Sequence, residues 1–349
     1  SMFFGAGNLI FPPLLGAQAG RDTLIAMAGL GLTAVLLPIL SVMAVARHDG
    51  LTNLVGSIHP VLAILFAVFV HLMIGPCVAI PRTASTSFEM AVAPFLHNSD
   101  QTLFLIRCVY SFVFFTAAIV IALKPTHLKD LLGKIMTPVL LVLIAVTFFG
   151  VLVKLPALFA APNAYYAEHP IRSGFITGYQ TMDILAAYNF GTVISMNIGS
   201  FGITDKKAVA SETIRAGIMA GIMLIIVYGA TSYIGAVCSV DFPGAQNGAE
   251  ILTWAVKACY GIYGQLIIGA IFFIACFNVC VGLLCCCATF FHELLPKISY
   301  VAWLIIFAVS SFVISSAGLN FILTMSLPVL QIMCPVAILI TVYGLIRKP

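Results

Sequence analysis

Charged side chains are scarce in this sequence. Asp, Glu, Lys and Arg make up 8% of its 349 residues, whereas about 25% is usual for a soluble domain. Residues of the AVILMFWYC set account for 62% of the chain, above the roughly 45 to 50% that soluble domains reach. Too few ionised groups are present to hydrate a surface of this size. The composition excludes a soluble globular protein and predicts an integral membrane protein.

Clustered basic residues, phosphate loops and metal-ligand patterns are also missing. The 16 Lys and Arg exceed the 12 Asp and Glu by only four, and they are scattered, so nucleic acid is not an expected partner. No Gly-rich loop with a following Lys occurs, and no His/Glu metal pattern lies in the apolar segments. The sequence therefore predicts neither an enzyme nor a resident cofactor. Apolar stretches hold Cys276, Cys280 and Cys285 without ligand partners, which is typical of small packing residues.

Long apolar runs dominate the remaining sequence. A helix needs about 20 apolar residues to cross the hydrocarbon core of a bilayer. Ten segments reach this length, near 1–19, 24–46, 58–84, 103–123, 133–153, 175–202, 212–238, 262–291, 300–317 and 320–346. They lack the alternating polarity of barrel strands. We therefore predict an all-α polytopic membrane protein, a bundle of about ten transmembrane helices.

Positive charges indicate the orientation of these segments. With the start of the first segment in the cytoplasm, ten Lys and Arg residues lie at cytoplasmic ends and five at the opposite ends. Such an excess is typical of cytoplasmic loops. The predicted location is a cell membrane, crossed many times.

Two segments contain features that disfavour a regular helix. Residues 5–13 include two glycines, an asparagine and two prolines, which predicts a break in the first helix. Residues 178–183 place Asp183 inside an apolar span, where an acid costs roughly 2.5 to 3.5 kcal/mol. Asp183 is expected to face a cavity or to bond to a neighbouring helix, and both interpretations are open.

Two helix breaks that face each other would form a binding site for a ligand with a carboxylate and for a cation. Irregular backbone at membrane depth leaves N–H and C=O groups that need partners. Helix N-termini attract a carboxylate and freed carbonyls attract a cation. The breaks fall in the first helix of each half when ten helices are divided five and five. We therefore predict two inverted repeats, residues 1–153 and residues 154–349, around a site for an amino acid and an ion.

Four further residues in or just after the third segment allow more than one interpretation. Gly75 and Pro76 predict a kink, interpreted as a packing feature. Arg82 and Glu89 are seven residues apart near the end of this segment. They either pair or form part of an outer gate, or they are interfacial charges that extend to the membrane surface.

Four stretches carry a recognisable pattern: FFGAGNLIFPP at 3–13, IPRTASTSFEM at 80–90, GYQTMD at 178–183 and FFHELLPKISY at 290–300. In this order they resemble the branched-chain amino acid:cation symporters (LIVCS family). The resemblance implies a secondary transporter of the leucine-transporter fold, a 5+5 bundle with helices 1 and 6 broken. It implies import of leucine, isoleucine and valine by symport with Na⁺, or H⁺ in some members, across a plasma membrane, the inner membrane of a bacterium. The family has a longer first helix and two further helices, so the chain is expected to be truncated at both ends.

The same resemblance assigns roles to individual residues. Backbone amides for the substrate carboxylate come from Gly5, Ala6, Gly7 and Asn8. The opposite wall, where the ammonium group binds, consists of Tyr179, Thr181, Met182 and Asp183. The cation site consists of carbonyls near Ser1 and Phe4 with Asn278, and Na⁺ is the expected coupling ion.

Helix 8 departs from the family pattern. Asn278 and Val279 stand where the family has paired Thr hydroxyls; an Asn oxygen can ligate Na⁺, whereas valine cannot. The alternative prediction is therefore a truncated or non-transporting relative that binds amino acids as a membrane receptor or regulatory protein.

Overall fold

The computed structural model describes residues 3–96, 100–123, 129–199, 205–242 and 247–347. Within these ranges the chain consists of helices and their connections, and no strand occurs. The all-α prediction is confirmed for this part of the chain.

The helices differ widely in length, from one turn to 33 residues. Those before residue 155 are α1 (Ala6–Ala19), α2 (Thr23–Gly31), α3 (Leu37–Arg47), α4 (Leu51–Gly56), α5 (Pro60–Leu72), α6 (Ala79–Ala91), α7 (Asp100–Ala122) and α8 (Thr137–Lys154). The later ones are α9 (Ala164–Ala167), α10 (Pro170–Tyr179), α11 (Asp183–Gly199), α12 (Lys206–Val237), α13 (Gly248–Tyr260), α14 (Ile262–Leu294), α15 (Tyr300–Ser316) and α16 (Leu319–Ile346). Wider π-type turns, Leu32–Leu36 and Met73–Cys77, connect α2 to α3 and α5 to α6.

The fold is that of a polytopic membrane protein. Seven helical stretches of the described residues are long and apolar enough to cross a bilayer, or eight if one bent pair, Tyr300–Ser316 with Leu319–Ser326, counts as a span. Apolar side chains on α7, among them Leu105, Val109 and Phe112, are more than half exposed, as expected of a face against lipid. The division into ten spans stays a prediction, since Ala6–Arg47 forms one 42-residue stretch and α10 and α11 are each short.

Helix α1 lies directly against α12. A side chain at Gly16 would collide with the carbonyl oxygen of Ser232, and one at Gly235 with that of Pro13. Ser232 Oγ also donates a hydrogen bond to the Pro12 carbonyl oxygen at 2.9 Å. Small residues permit this close backbone approach, which is a common way for membrane helices to associate.

Helix α10 lies against α2 in a similar way. Side chains at Gly29 and Gly174 would collide with the carbonyl oxygens of Ile171 and Ala26, and Thr33 Oγ1 donates to the Phe175 carbonyl oxygen at 2.9 Å. Suppose that α10 is the counterpart of α1 in the second half of the chain and that α12 is the counterpart of α2. The contact between α1 and α12 then has its equivalent in the contact between α10 and α2. This correspondence agrees with repeats over 1–153 and 154–349, which remain a prediction.

Helix α14 is the most buried of the long helices and packs against α6, α7 and α15. Its cysteines are buried, and all ten cysteines of the chain are free thiols. A side chain at Gly75 would lie 2.8 Å from Cys287 Sγ. The buried thiols of α14 agree with a packing role, whereas Cys77 is exposed.

Candidate functional site

The chain leaves helical geometry between α10 and α11, at residues 180–182. The amide of Thr181 bonds to the Gly178 carbonyl oxygen at 3.3 Å, and that of Met182 to the Tyr179 oxygen at 3.1 Å. Met182 then has φ of 67°, a left-handed conformation that is uncommon for residues other than glycine. Helix α11 begins at the next residue, Asp183. The predicted break of the sixth segment is present, and it places a carboxylate in the first turn of α11, where the helix dipole favours a negative charge.

The irregular backbone of the first segment is shorter than predicted. Gly5 is extended, with φ of −122°, and its N–H donates to Asn8 Oδ1 at 3.0 Å. Helix α1 begins at Ala6 and continues through Pro12 and Pro13 to its end. The predicted break inside residues 5–13 is therefore wrong for the described residues: Ala6–Ala19 is one continuous helix, and the irregular backbone ends at Gly5. A proline pair deprives two carbonyls of the preceding turn of their donors, but the helix on either side continues.

Asp183 joins three helices through one carboxylate oxygen. Its Oδ2 accepts hydrogen bonds from Asn8 Nδ2 and from the Tyr228 hydroxyl, both at 2.8 Å. The Asn8 amide and the Tyr228 hydroxyl also contact each other, and all three side chains are buried. The expectation that Asp183 bonds between helices is thus met. Neither of these two donors uses Oδ1, and the Thr181 side chain is a third hydrogen-bonding neighbour of the carboxylate.

A central cavity lies between the start of α1 and the break before α11. Its polar lining consists of Asn8, Arg82, Thr83, Thr181 and Asp183. Its apolar lining includes Ile74, Ala79, Ala186, Phe190, Val279 and Leu283. The centre of a water molecule can occupy about 30 Å³ of it, which is room for very few waters. The structure is therefore a nearly closed conformation of a site that combines buried charge with aliphatic surroundings.

Most of the predicted substrate residues meet in this cavity: Gly5, Ala6, Gly7, Asn8, Thr181, Met182 and Asp183. Tyr179 is not among its lining residues. Its ring lies at the end of α10, 5.0 Å from that of Phe175. The structure therefore brings the two predicted walls together and leaves Tyr179 outside them.

The predicted cation residues are more dispersed. Ser1 lies outside the described residues. Phe4 borders a separate apolar cavity with Leu140 and Val227. Asn278 is fully buried in α14, and neither Oδ1 nor Nδ2 has a hydrogen-bond partner among the residues that the structure describes.

The start of α1 nevertheless packs at the level of Asn278. A side chain at Gly5 would lie 2.9 Å from Cγ2 of the next residue, Val279. Buried amides without partners are rare in proteins. This amide oxygen fits the chemistry of a cation ligand, whereas the valine beside it offers none.

Arg82 is a site residue that the sequence interpretation missed. Its side chain is only 5% exposed and lines the central cavity. Nη1 donates to the Gln180 carbonyl oxygen at 3.3 Å, and a side chain at Gly7 would lie 3.0 Å from Nη2. Glu89 bonds instead to Arg107, at 2.9 Å. The interpretations of Arg82 as a partner of Glu89 and as an interfacial charge are both wrong.

The position of Arg82 depends on a bend between α5 and α6. Gly75 has φ −78° and ψ −121°, which is not helical. Ile74 and Ala79, on either side of the bend, both line the central cavity. The kink interpreted as packing therefore turns α6 into the site. A charge within an apolar segment, the signal that revealed Asp183, was also the available signal for Arg82.

A second cavity has a largely polar lining. The centre of a water molecule can occupy about 230 Å³ of it, and its lining includes Asp49, Asn53, His71, Asn189, Thr289 and Glu293. Asn189 is buried, and neither of its side-chain amide atoms has a partner in the described structure. Along three helices, His71, Asn189 and Cys286 border this cavity where Ile74, Phe190 and Leu283 border the central one. Residues close together on the same three helices therefore border two different cavities, with the apolar residue of each pair at the central one.

Comparison with known proteins gives a consistent result. The family model described as branched-chain amino acid transport protein matches residues 1–349. The chain is 36% identical over 340 residues to the branched-chain amino acid permease BrnQ of Bacillus subtilis, covering 97% of this chain and 77% of that protein. It is 35% identical to the permease BraB of the same organism, with 100% and 78% covered. A putative branched-chain amino acid carrier protein of Staphylococcus aureus is 36% identical, with 100% and 80% covered.

Proposed function

The chain belongs to the branched-chain amino acid transport protein family, and from this premise we propose that it imports leucine, isoleucine and valine by cation symport. It is a multi-pass protein of the cell membrane, and its relatives are transport permeases rather than enzymes. The proposal adds to this family identity the direction of transport, the coupling to an ion and the residues that bind the cargo.

One observation carries the proposal. The break at residues 180–182 brings the Asp183 carboxylate within 2.8 Å of Asn8, in the first turn of α1. Both residues line a cavity whose other walls are largely aliphatic. An α-amino acid with a branched side chain needs this combination, a carboxylate for its ammonium group and apolar surfaces for its methyl groups.

The substrate has a defined orientation in this proposal. Its ammonium group donates to Asp183 Oδ1, the oxygen that Asn8 and Tyr228 do not use. Its carboxylate accepts from the first-turn amides of α1, at the positive end of the helix dipole. Its side chain packs against Ala186, Val279 and other apolar residues of the cavity. Because the cavity is nearly closed, its walls must move apart for loading.

Transport then proceeds by alternating access. The apolar layer of Ile74, Phe190 and Leu283 closes the central cavity toward the polar one. The positive-inside orientation assigns the polar cavity to the cytoplasmic side, which makes it the exit route. Movement of this layer releases the substrate, and closure on the opposite side prevents its return.

Na⁺ is the proposed coupling ion. Asn278 supplies a buried oxygen that no described residue binds, and in this proposal backbone carbonyls around Phe4 supply the other ligands. One positive charge that moves inward across 100 mV releases about 2.3 kcal/mol. This corresponds to roughly fifty-fold accumulation at 1.4 kcal/mol per decade, so one ion per substrate suffices for uptake.

A transport assay with Asp183→Asn tests the proposal. Purified protein in liposomes is given an inward Na⁺ gradient and labelled leucine. Wild type should accumulate leucine, and Asp183→Asn should lower uptake at least about 30-fold, because a buried charged hydrogen bond to the ammonium group is worth 2 kcal/mol or more. Asp241→Asn, which alters an exposed carboxylate, is the control and should transport normally.

The same assay separates the proposal from its alternatives. Leucine binding without uptake in wild type would identify a receptor or regulatory protein instead. Equal uptake by wild type and Asp183→Asn would contradict the assigned role of the carboxylate. Uptake that is indifferent to Na⁺ but driven by a pH gradient would replace Na⁺ with H⁺.

A further inference from the structure

Arg82 is a buried cation whose hydrogen-bonding capacity is largely unused. Its guanidinium has five N–H donors. In the described part of the chain Nη1 bonds to the Gln180 carbonyl oxygen at 3.3 Å, and Nε has no partner. The acidic residue closest to it along α6, Glu89, is engaged by Arg107. A buried guanidinium in this state is costly and calls for an anionic partner.

Asp183 does not supply that partner directly. It lines the same cavity as Arg82, but among the described residues no ion pair joins them. The hydrogen bonds of its carboxylate run to Asn8 and Tyr228. The two opposite charges therefore attract each other through space across one cavity but form no direct ion pair among the described residues, an arrangement that a zwitterion between them would complete.

The surroundings of the guanidinium favour an anion. A side chain at Gly7 would lie 3.0 Å from Nη2, so the first turn of α1 lies directly against it. In that turn Gly5 N–H donates to Asn8 Oδ1 and Asn8 N–H bonds to the Gly5 carbonyl oxygen. The amides of Ala6 and Gly7 belong to the same helix N-terminus, which is favourable for an anion. The fork of an arginine matches a carboxylate in geometry.

We propose that Arg82 binds the α-carboxylate of the transported amino acid, and that Arg82 and Asp183 together recognise its two charges. The inference rests on the proposed function and adds the residue that selects for a free carboxylate. It predicts that the protein rejects compounds that keep the aliphatic side chain and ammonium group of leucine but lack its carboxylate.

Analogues of leucine with one charge removed test this role. Binding of leucine, 3-methylbutylamine and 4-methylpentanoate is measured by competition with labelled leucine on purified wild type, Arg82→Gln, Arg82→Lys and Asp183→Asn. Wild type should prefer leucine to the amine by about 30-fold or more. Arg82→Gln should weaken the binding of leucine by a similar factor. Its affinity for the amine should stay the same or increase, so that the preference for leucine disappears. Asp183→Asn should no longer bind leucine or the amine, but it should still bind 4-methylpentanoate.

Control variants keep the interpretation specific. Arg107→Gln removes a guanidinium outside the cavity and should keep the wild-type preference. If Arg82→Gln does not fold, Arg82→Lys tests the proposal instead. It retains the positive charge but not the forked guanidinium, so it should reduce the ratio of the affinity for leucine to the affinity for the amine. An equal loss of leucine and amine in a folded Arg82 variant would overturn the proposal in favour of a structural role. Failure of wild type to bind leucine would overturn the proposed function instead.

Discussion

Asn278 illustrates how a single side chain links stability to function. Its amide is fully buried, and neither polar atom has a partner in the described structure. An unsatisfied buried polar group costs about 1 to 3 kcal/mol. The protein tolerates this cost because, in the proposed mechanism, a coupling cation satisfies the amide oxygen during transport.

We expect Asn278→Ala to separate these two effects. Without Na⁺ the variant should melt at the same temperature as wild type or higher, because the unsatisfied amide is gone. The rise in melting temperature that Na⁺ causes in wild type, and Na⁺ stimulation of leucine uptake, should both be lost. Thermal unfolding in detergent with and without Na⁺ measures the first effect.

Asn320→Ala, at an exposed position of α16, provides the comparison and should respond to Na⁺ like wild type. A full Na⁺ response in Asn278→Ala would remove this residue from the cation site.

The residues of the site were predictable to different degrees. Asp183 could be found because an acid in an apolar run is costly wherever the helix lies. Arg82 was missed because its burial depends on the bend at Gly75, which moves the end of a segment from the membrane surface into the cavity. Tyr228 gave no signal, since a tyrosine in an apolar helix resembles an interfacial anchor until its partner Asp183, 45 positions away, is located.

Among the helices, glycine determines which pairs come closest. Gly16 and Gly235 allow α1 and α12 to touch through their backbones, while Gly29 and Gly174 do so for α2 and α10. The helix type and the approximate bounds of the long helices followed from apolar length, whereas α4 (Leu51–Gly56) and α13 (Gly248–Tyr260) lie outside every predicted segment. The pairing did not, because many glycines occur in the sequence and only the packed structure distinguishes those at contacts.

Substitution of Gly235 by Ala should destabilise the protein by about 1 to 3 kcal/mol or more, the usual effect of overpacking. The added methyl group would collide with the Pro13 carbonyl oxygen and push α1 away from α12. The melting temperature in detergent and the yield of monodisperse protein report the change.

Gly229→Ala, on the same helix, is the matched control because a side chain there would meet no atom within 4 Å. Similar melting temperatures for both variants would mean that the contact between α1 and α12 is looser than described.

At the scale of the whole molecule, the proposed transport route runs through the two cavities and across the apolar layer of Ile74, Phe190 and Leu283. Phe190 is buried in this layer, and its ring packs edge-on against Phe3 at 5.1 Å. Sequence patterns could predict a site at mid-membrane but not this layer, because its members come from three separate helices and resemble any other core residue.

Phe190→Ala should turn the protein into a leaky carrier. Loss of the ring connects the central cavity to the polar one, so leucine should leave preloaded liposomes several-fold faster and its accumulation under a Na⁺ gradient should fall. Efflux and the accumulation plateau are measured on the same preparation. Phe273→Ala, at a partly exposed ring on α14, should keep both values, and an unchanged plateau in Phe190→Ala would place the barrier elsewhere.

The bonds from Asn8 and Tyr228 to Asp183 also bear on the half of the cycle in which nothing is carried. In the proposed symport cycle the protein returns empty, and an unpaired carboxylate in its apolar interior would raise the free-energy barrier of that step. Here the acid keeps two donors of its own when cargo is absent. In that cycle the empty protein therefore returns at a low electrostatic cost, and its turnover does not require a substrate on the return step.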